Sequence, residues 1–196
     1  MKVNKLLEKI FKQGKFTVFD DKPDFDFASV HQIHSADIVT FPCDNSEKAD
    51  GISAELKNLT LPLAIKTADC MPVLYLSKTH VAVVHAGWRG LRDKILVHPL
   101  LKEQVWDSIY IGPSISGEAF EVSSDFREEF PHSPHFKQRD NKLVFDLIAE
   151  ARDQLSQELN FREFDTSKVC TFTNTDYNSY RKDKTDKRNY NIFQMN

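Results

Sequence analysis

Two kinds of apolar spacing alternate along this chain. Over residues 2–13, Leu6, Leu7, Ile10 and Phe11 recur at three- and four-residue intervals, which predicts a short amphipathic helix stopped by Gly14. Residues 16–19 read as extended, and the acidic run after them, broken by Pro23, reads as a loop. Residues 30–34 and 37–41 look extended, and 42–50 form a polar turn region. From residue 61 the pattern changes to short, dense runs with β-branched content, at 61–66, 72–77 and 80–86. Only Lys78 and Thr79 separate the last two, which predicts a hairpin. Gly87 and Gly90 bracket Trp88 and Arg89, and a helix is expected from there to about Leu101. Residues 108–114 read as a strand ended by Gly112 and Pro113. The strongest helical stripe covers 143–159, where Val144, Leu147, Ile148, Ala151, Leu155 and Leu159 share a face. Residues 168–173 predict a late strand. This mixed order, without repeat or linker, predicts one α+β domain over 1–196.

Composition narrows the classes. Of 196 residues, 40% are hydrophobic and 28% charged, which excludes low-complexity and collagen-like chains. The formal net charge of −3 is not the footprint of a general nucleic-acid binder, so any basic patch is local. One such run, 181–188, carries five basic and two acidic residues and reads as a solvated loop. Cys43, Cys70 and Cys170 form no CxxC pair, so free thiols and a reducing compartment are expected. No apolar run approaches the roughly 20 residues of a membrane span, and no secretory signal is evident. These readings predict a cytoplasmic protein with neither membrane nor nucleic acid as partner.

The candidate chemistry lies at the ends of the extended segments. His34, Cys70 and His85 stand thirty-six and fifteen residues apart, gaps that suit ligands delivered by separate strands to one rim of a sheet. Two imidazoles and a thiolate leave a fourth zinc position open, as catalytic sites do. These donors favour zinc or copper over magnesium or calcium. An inert buried thiol and hydrogen-bonded strand-end histidines are the plain alternative. Arg89, between glycines, is placed to cradle a phosphate or carboxylate, or else makes a surface ion pair. Asp69, next to Cys70, can orient a ligand or simply cap a turn.

Longer strings around these residues carry a resemblance. Gln32-Ile33-His34, Lys66-Thr67-Ala68-Asp69-Cys70-Met71-Pro72-Val73 and Val84-His85-Ala86-Gly87-Trp88-Arg89-Gly90 resemble a family once called laccase-domain or multicopper polyphenol oxidoreductase proteins. The family is now described as zinc-dependent purine nucleoside phosphorylases and includes a peptidoglycan editing factor. Ile111-Gly112-Pro113, Phe120-Glu121-Val122, Cys170-Thr171 and Ser179-Tyr180-Arg181-Lys182-Asp183 agree with its later elements. The resemblance implies zinc, with copper less favoured, held by His34, Cys70 and His85. Beside that metal, Asp69 and Arg89 are expected as catalytic groups, and Gln32, Arg89 and Arg181 as substrate contacts. Purine nucleoside and phosphate are the implied substrates, with phosphorolysis of adenosine, inosine, guanosine and methylthioadenosine and deamination of adenosine. The implied fold is a mixed β-sheet sandwich flanked by helices, similar to a bacterial deamidating toxin.

The chain departs from the family pattern in three places. It reaches His34 after a shortened N-terminal part, Lys182 replaces a second arginine, and Asn178 replaces an aromatic residue. Laccase chemistry itself is not supported, because there is no His-Cys-His string and only seven histidines are present. The H-x-E with P-C-x-x-C signature of cytidine deaminases is absent as well. Two other functions are carried forward: a cysteine hydrolase using Cys70 and His85, and an editing factor for peptidoglycan precursors with weak or no nucleoside activity.

Overall fold

The computed structural model describes residues 3–196. Two sheets stack as a sandwich. The larger has six strands in the order β12 (Phe161–Thr166), β8 (Trp106–Ile111), β6 (Met71–Leu76), β7 (His80–Ala86), β4 (Gly51–Glu55) and β3 (Ile38–Thr40). Its two edge pairs are parallel and its inner pairs antiparallel, so the sheet is mixed. The smaller has four strands in the order β1 (Lys5–Ile10), β2 (Gly14–Phe19), β13 (Asn189–Met195) and β5 (Leu63–Thr67). A three-stranded sheet of β10 (Phe136–Arg139), β11 (Lys142–Phe145) and β9 (Glu121–Val122) shares no ladder with either, and its Phe145 packs into the core under the large sheet.

Side-chain alternation explains why β6 and β7 read as nearly continuous apolar runs. Val73 and Tyr75 of β6, with Ala82 and Val84 of β7, face the core that holds α3 (Leu147–Glu158). Leu74 and Leu76, with Val81 and Val83, face the opposite core against Phe16, Leu63 and Phe193 of the small sheet. Strands covered on both faces need apolar residues at every position. Tyr75 and Trp106 bury polar atoms here only because each donates to a main-chain carbonyl, of Leu96 at 3.0 Å and Leu101 at 2.9 Å.

Several sequence expectations change form. The helix expected over 2–13 is strand β1 from Lys5 onward, and Lys2 lies outside the described residues. A register shift between Lys5 and Leu7 puts an irregularity into the ladder with β2. It breaks the period of two and leaves apolar residues at helix-like spacing. The helix expected up to Leu101 is split into α1 (Trp88–Arg92), a 3₁₀ turn (Ile95–Val97) and α2 (Pro99–Lys102). Lys94 takes a left-handed conformation with φ 65°, and Pro99 starts a new element instead of continuing the old one. The stripe over 143–159 combines two elements: Val144 belongs to β11, and α3 starts only after Asp146, whose side chain accepts from the amide of Ala149 at 3.0 Å. Residues 168–173 form turns with one bridge from Ser114 to Cys170, not a strand. Residues 30–34 are irregular, because His34 is left-handed with φ 60°.

The hairpin of β6 and β7 forms as expected, with Met71 opposite Ala86 and Pro72 opposite His85. Between β5 and β6 the chain crosses from the small sheet to the large one within residues 68–70. Cys70 ends that crossing, and the site is built around it. Among the described residues no helix is long and apolar enough to cross a membrane.

Candidate active site

The ends of β6 and β7 bring Cys70 and His85 side by side, and the irregular 30–34 segment carries His34 over them. Their ligating atoms all lie within 4.8 Å of one another. The two imidazoles meet edge to face, with ring centroids 4.8 Å apart at 81°. Gly87 makes room for this meeting: a Cβ there would sit 2.9 Å from the Cys70 sulfur and 3.3 Å from Cδ2 of His34. The donor set and its spacing fit a zinc ion held by His34, Cys70 and His85.

A fully buried carboxylate organises the group. Asp50 accepts from Nδ1 of His85 at 2.7 Å, which leaves Nε2 as that ring's free nitrogen. The same carboxylate accepts from the amides of Ile33, His34 and Ser35 at 3.2, 3.0 and 2.6 Å, and from the Ser35 hydroxyl at 2.9 Å. Its own main-chain carbonyl accepts from the His85 amide at 2.7 Å. Asp50 therefore fixes both the ring of His85 and the left-handed turn that presents His34. Burial pushes the Asp50 carboxyl up, but bonds from His85 and Ser35 outweigh it and hold the group below its usual range. Burial likewise pushes the Cys70 thiol up, yet the charge of His85 and hydrogen bonds from both imidazoles bring it well down. The same coupling, with Asp50 added, lifts His85 above its ordinary value against the effect of its burial. Each of the two therefore favours the charged form of the other.

The group opens into a cavity of about 650 Å³, a size that accepts a nucleoside-sized ligand. One wall is aromatic. Trp88 and Phe120 both pack on Phe126, Arg89 stacks over Trp88 at 4.5 Å, and Arg181 lies over Phe120 at 5.1 Å. Tyr180 and Ile115 also face the space. Cations are crowded here too: Lys66, Arg89, Arg181, Lys184 and Arg188 all line the cavity.

All the expected site residues line this one cavity, but several have structural bonds already. Gln32 uses its whole amide on the main chain of Lys66, accepting from N and donating to O at 2.8 Å each. Asp69, with φ 90°, accepts from the Thr171 hydroxyl at 2.8 Å and from the Arg181 amide at 2.7 Å. Arg181 donates Nη1 to the Glu121 carbonyl at 2.7 Å. The 181–188 run, expected to be a solvated loop, supplies three of the lining cations. Sequence reasoning missed Asp50, which ends a polar stretch with no periodic signal. The one hint is a carboxylate set between Ala49 and Gly51 at the opening of an apolar strand.

These features define a sandwich protein with a His–Cys–His group at the mouth of a cationic, aromatic-walled cavity. The chain belongs to the multi-copper polyphenol oxidoreductase laccase family, whose description matches residues 17–194. It is 38% identical over 145 residues to a purine nucleoside phosphorylase of Aquifex aeolicus, covering 72% of this chain and 68% of the relative. It is 32% identical over 171 residues to purine nucleoside phosphorylase YfiH of Escherichia coli, covering 80% and 68%. Among solved structures, Neisseria meningitidis protein NMB0706 superposes with a TM-score of 0.74 at 31% identity, over 84% of this chain and 73% of that one.

Proposed function

We propose that this chain is a zinc-dependent purine nucleoside phosphorylase, acting as one catalytic domain on adenosine, inosine, guanosine and methylthioadenosine, with deamination of adenosine as a second activity. The observation that carries the reading is the convergence of His34, Cys70 and His85 on a cavity that offers both flat apolar faces and several cations. Zinc held by the three residues supplies Lewis acidity at the cavity mouth. Trp88, Phe120 and Tyr180 provide faces for a purine. Arg89 and Arg181 place positive charge along that wall, where it stabilises negative charge on phosphate or on the departing base. Gln32 and Asp69 act on the substrate by holding Lys66, Thr171 and Arg181 in position. Zinc is favoured over copper because one thiolate and two imidazoles with a position to spare match its catalytic sites. The three free cysteines suit a reducing, cytoplasmic setting.

The test is product analysis on zinc-loaded protein given inosine or adenosine, with and without phosphate. Ribose 1-phosphate and free base, dependent on phosphate and lost in Cys70→Ala, are the expected result. Absence of free base, ribose phosphate and inosine at every zinc loading would overturn the reading.

One observation favours a second reading. The Cys70 sulfur and a His85 nitrogen lie within 4.8 Å of each other, with the thiol shifted down by the imidazole beside it, a nucleophile and base placed as in a cysteine hydrolase. Rapid alkylation of Cys70 in protein shown to be fully zinc-loaded would favour that reading. Protection by zinc, released by a chelator, favours the metal site.

A further inference from the structure

We infer that Lys66 and Arg188 form an oxyanion subsite on the small-sheet side of the cavity, and that it takes inorganic phosphate. The assignment of phosphate as the ligand rests on the phosphorylase reading; the subsite itself rests on charge and placement.

Five cations line the cavity, and among the described residues none of them forms an ion pair. The lining carboxylate, Asp69, is already bonded to Thr171 and Arg181. Three of the five lie against rings: Arg89 on Trp88, Arg181 on Phe120, and Lys184 on Tyr180 at 4.9 Å. Lys66 and Arg188 have no such cover among the described residues. They come together through the β5–β13 ladder, in which Lys66 pairs with Tyr190 and Thr67 with Asn189, directly after Arg188.

Both are held for the task. The Gln32 amide clamps the main chain of Lys66 on both sides. Arg188 donates Nη1 to the carbonyls of Thr185 and Lys187 at 2.9 and 2.8 Å. That fixes one corner of the guanidinium and leaves its other nitrogens for a ligand. Burial first, and then the charge of Arg188, push the Lys66 ammonium below its ordinary value. Two cations on neighbouring strands, with no carboxylate paired to either among the described residues, suit an anion, and a phosphate supplies several acceptor oxygens at once. Lys66 and Arg188 are carried by the small sheet and Trp88 by the segment that follows β7 of the large one, so the phosphate and the purine are assigned to different elements of the one cavity. Of the two roles open to Arg89, the subsite leaves it the one on the departing base.

Zinc-loaded protein titrated with inorganic phosphate, by calorimetry and by melting temperature, tests this. Phosphate is expected to bind and raise the melting temperature. Lys66→Met and Arg188→Gln are each expected to weaken phosphate binding by about tenfold or more, while inosine binding stays within about twofold. Lys66→Met has a second, opposite signature. Removing a half-buried ammonium that repels its neighbour raises the melting temperature in phosphate-free buffer and abolishes the further rise on adding phosphate. Arg188→Gln carries the test if Lys66→Met does not fold. Unchanged phosphate affinity in the variants, or loss of phosphate binding in Arg89→Gln alone, would overturn the subsite. Phosphate bound through Lys66 and Arg188 without nucleoside cleavage keeps the subsite and removes the phosphorylase reading. Phosphorolysis with an unaltered KM for phosphate in both variants does the reverse.

Discussion

At the residue scale, the site depends on one carboxylate serving two masters. Asp50 accepts from the ring of His85 and from the turn that carries His34, so its loss would disorient two ligands at once. Asp50→Asn keeps the shape but offers one acceptor oxygen where two are used. Zinc affinity is expected to fall by about 10–100-fold with secondary structure retained, as read by competition with a chromogenic chelator and by circular dichroism. Gly87→Ala tests the same site from the opposite side. The added methyl collides with the Cys70 sulfur, so zinc content per chain should drop sharply while the β6–β7 hairpin persists. Metal analysis of the purified variant decides this. A variant that keeps the full zinc content would show that the Cys70 side chain yields to the methyl without leaving the site.

At the element scale, β6 and β7 do most to define the molecule. Leu74 is fully buried between the two sheets, and Leu74→Ala removes packing that no neighbour can replace without shifting a strand. The expected cost is about 2–5 kcal/mol in urea unfolding. These central strands were legible from sequence because burial on both faces forces an unbroken apolar run. The edge strand β1 was not, since its ladder irregularity imitates helical spacing. The boundary before α3 was hidden because β11 and the helix share a continuous apolar stripe, and only the cap at Asp146 separates them. The same division holds for the site. His34, Cys70 and His85 were readable because each lies in a short, distinctive string beside an extended segment. Lys66 and Arg188 were not, since a solvated basic run and a cavity-lining one have the same composition, and a net charge of −3 averages the cluster away. Asp50 carries no local pattern, and only tertiary contact reveals what it bonds.

At the scale of the whole molecule, the candidate metal joins segments far apart in the chain: the turn at His34, the crossing at Cys70 and the end of β7. A ligand that binds only the folded form stabilises it by mass action, by roughly 2.7 kcal/mol at a hundredfold excess over Kd. Chelation of the loaded protein is therefore expected to lower its melting temperature and restore it on adding zinc. It is also expected to turn Cys70 from slow to fast in alkylation, read by mass spectrometry. A melting temperature indifferent to chelation would mean that no ion is shared among these segments.

The crossing at residues 68–70 has one more consequence. His85 is anchored in the large sheet, and Cys70 at the point where the chain enters it, while Lys66 and Arg188 are anchored on the small one. Any sliding of the layers changes the distance between the two halves of the chemistry. A substrate gripped by both acts as a strut across the seam, and backbone amides of β5 and β13 should then exchange with deuterium more slowly than in the empty protein.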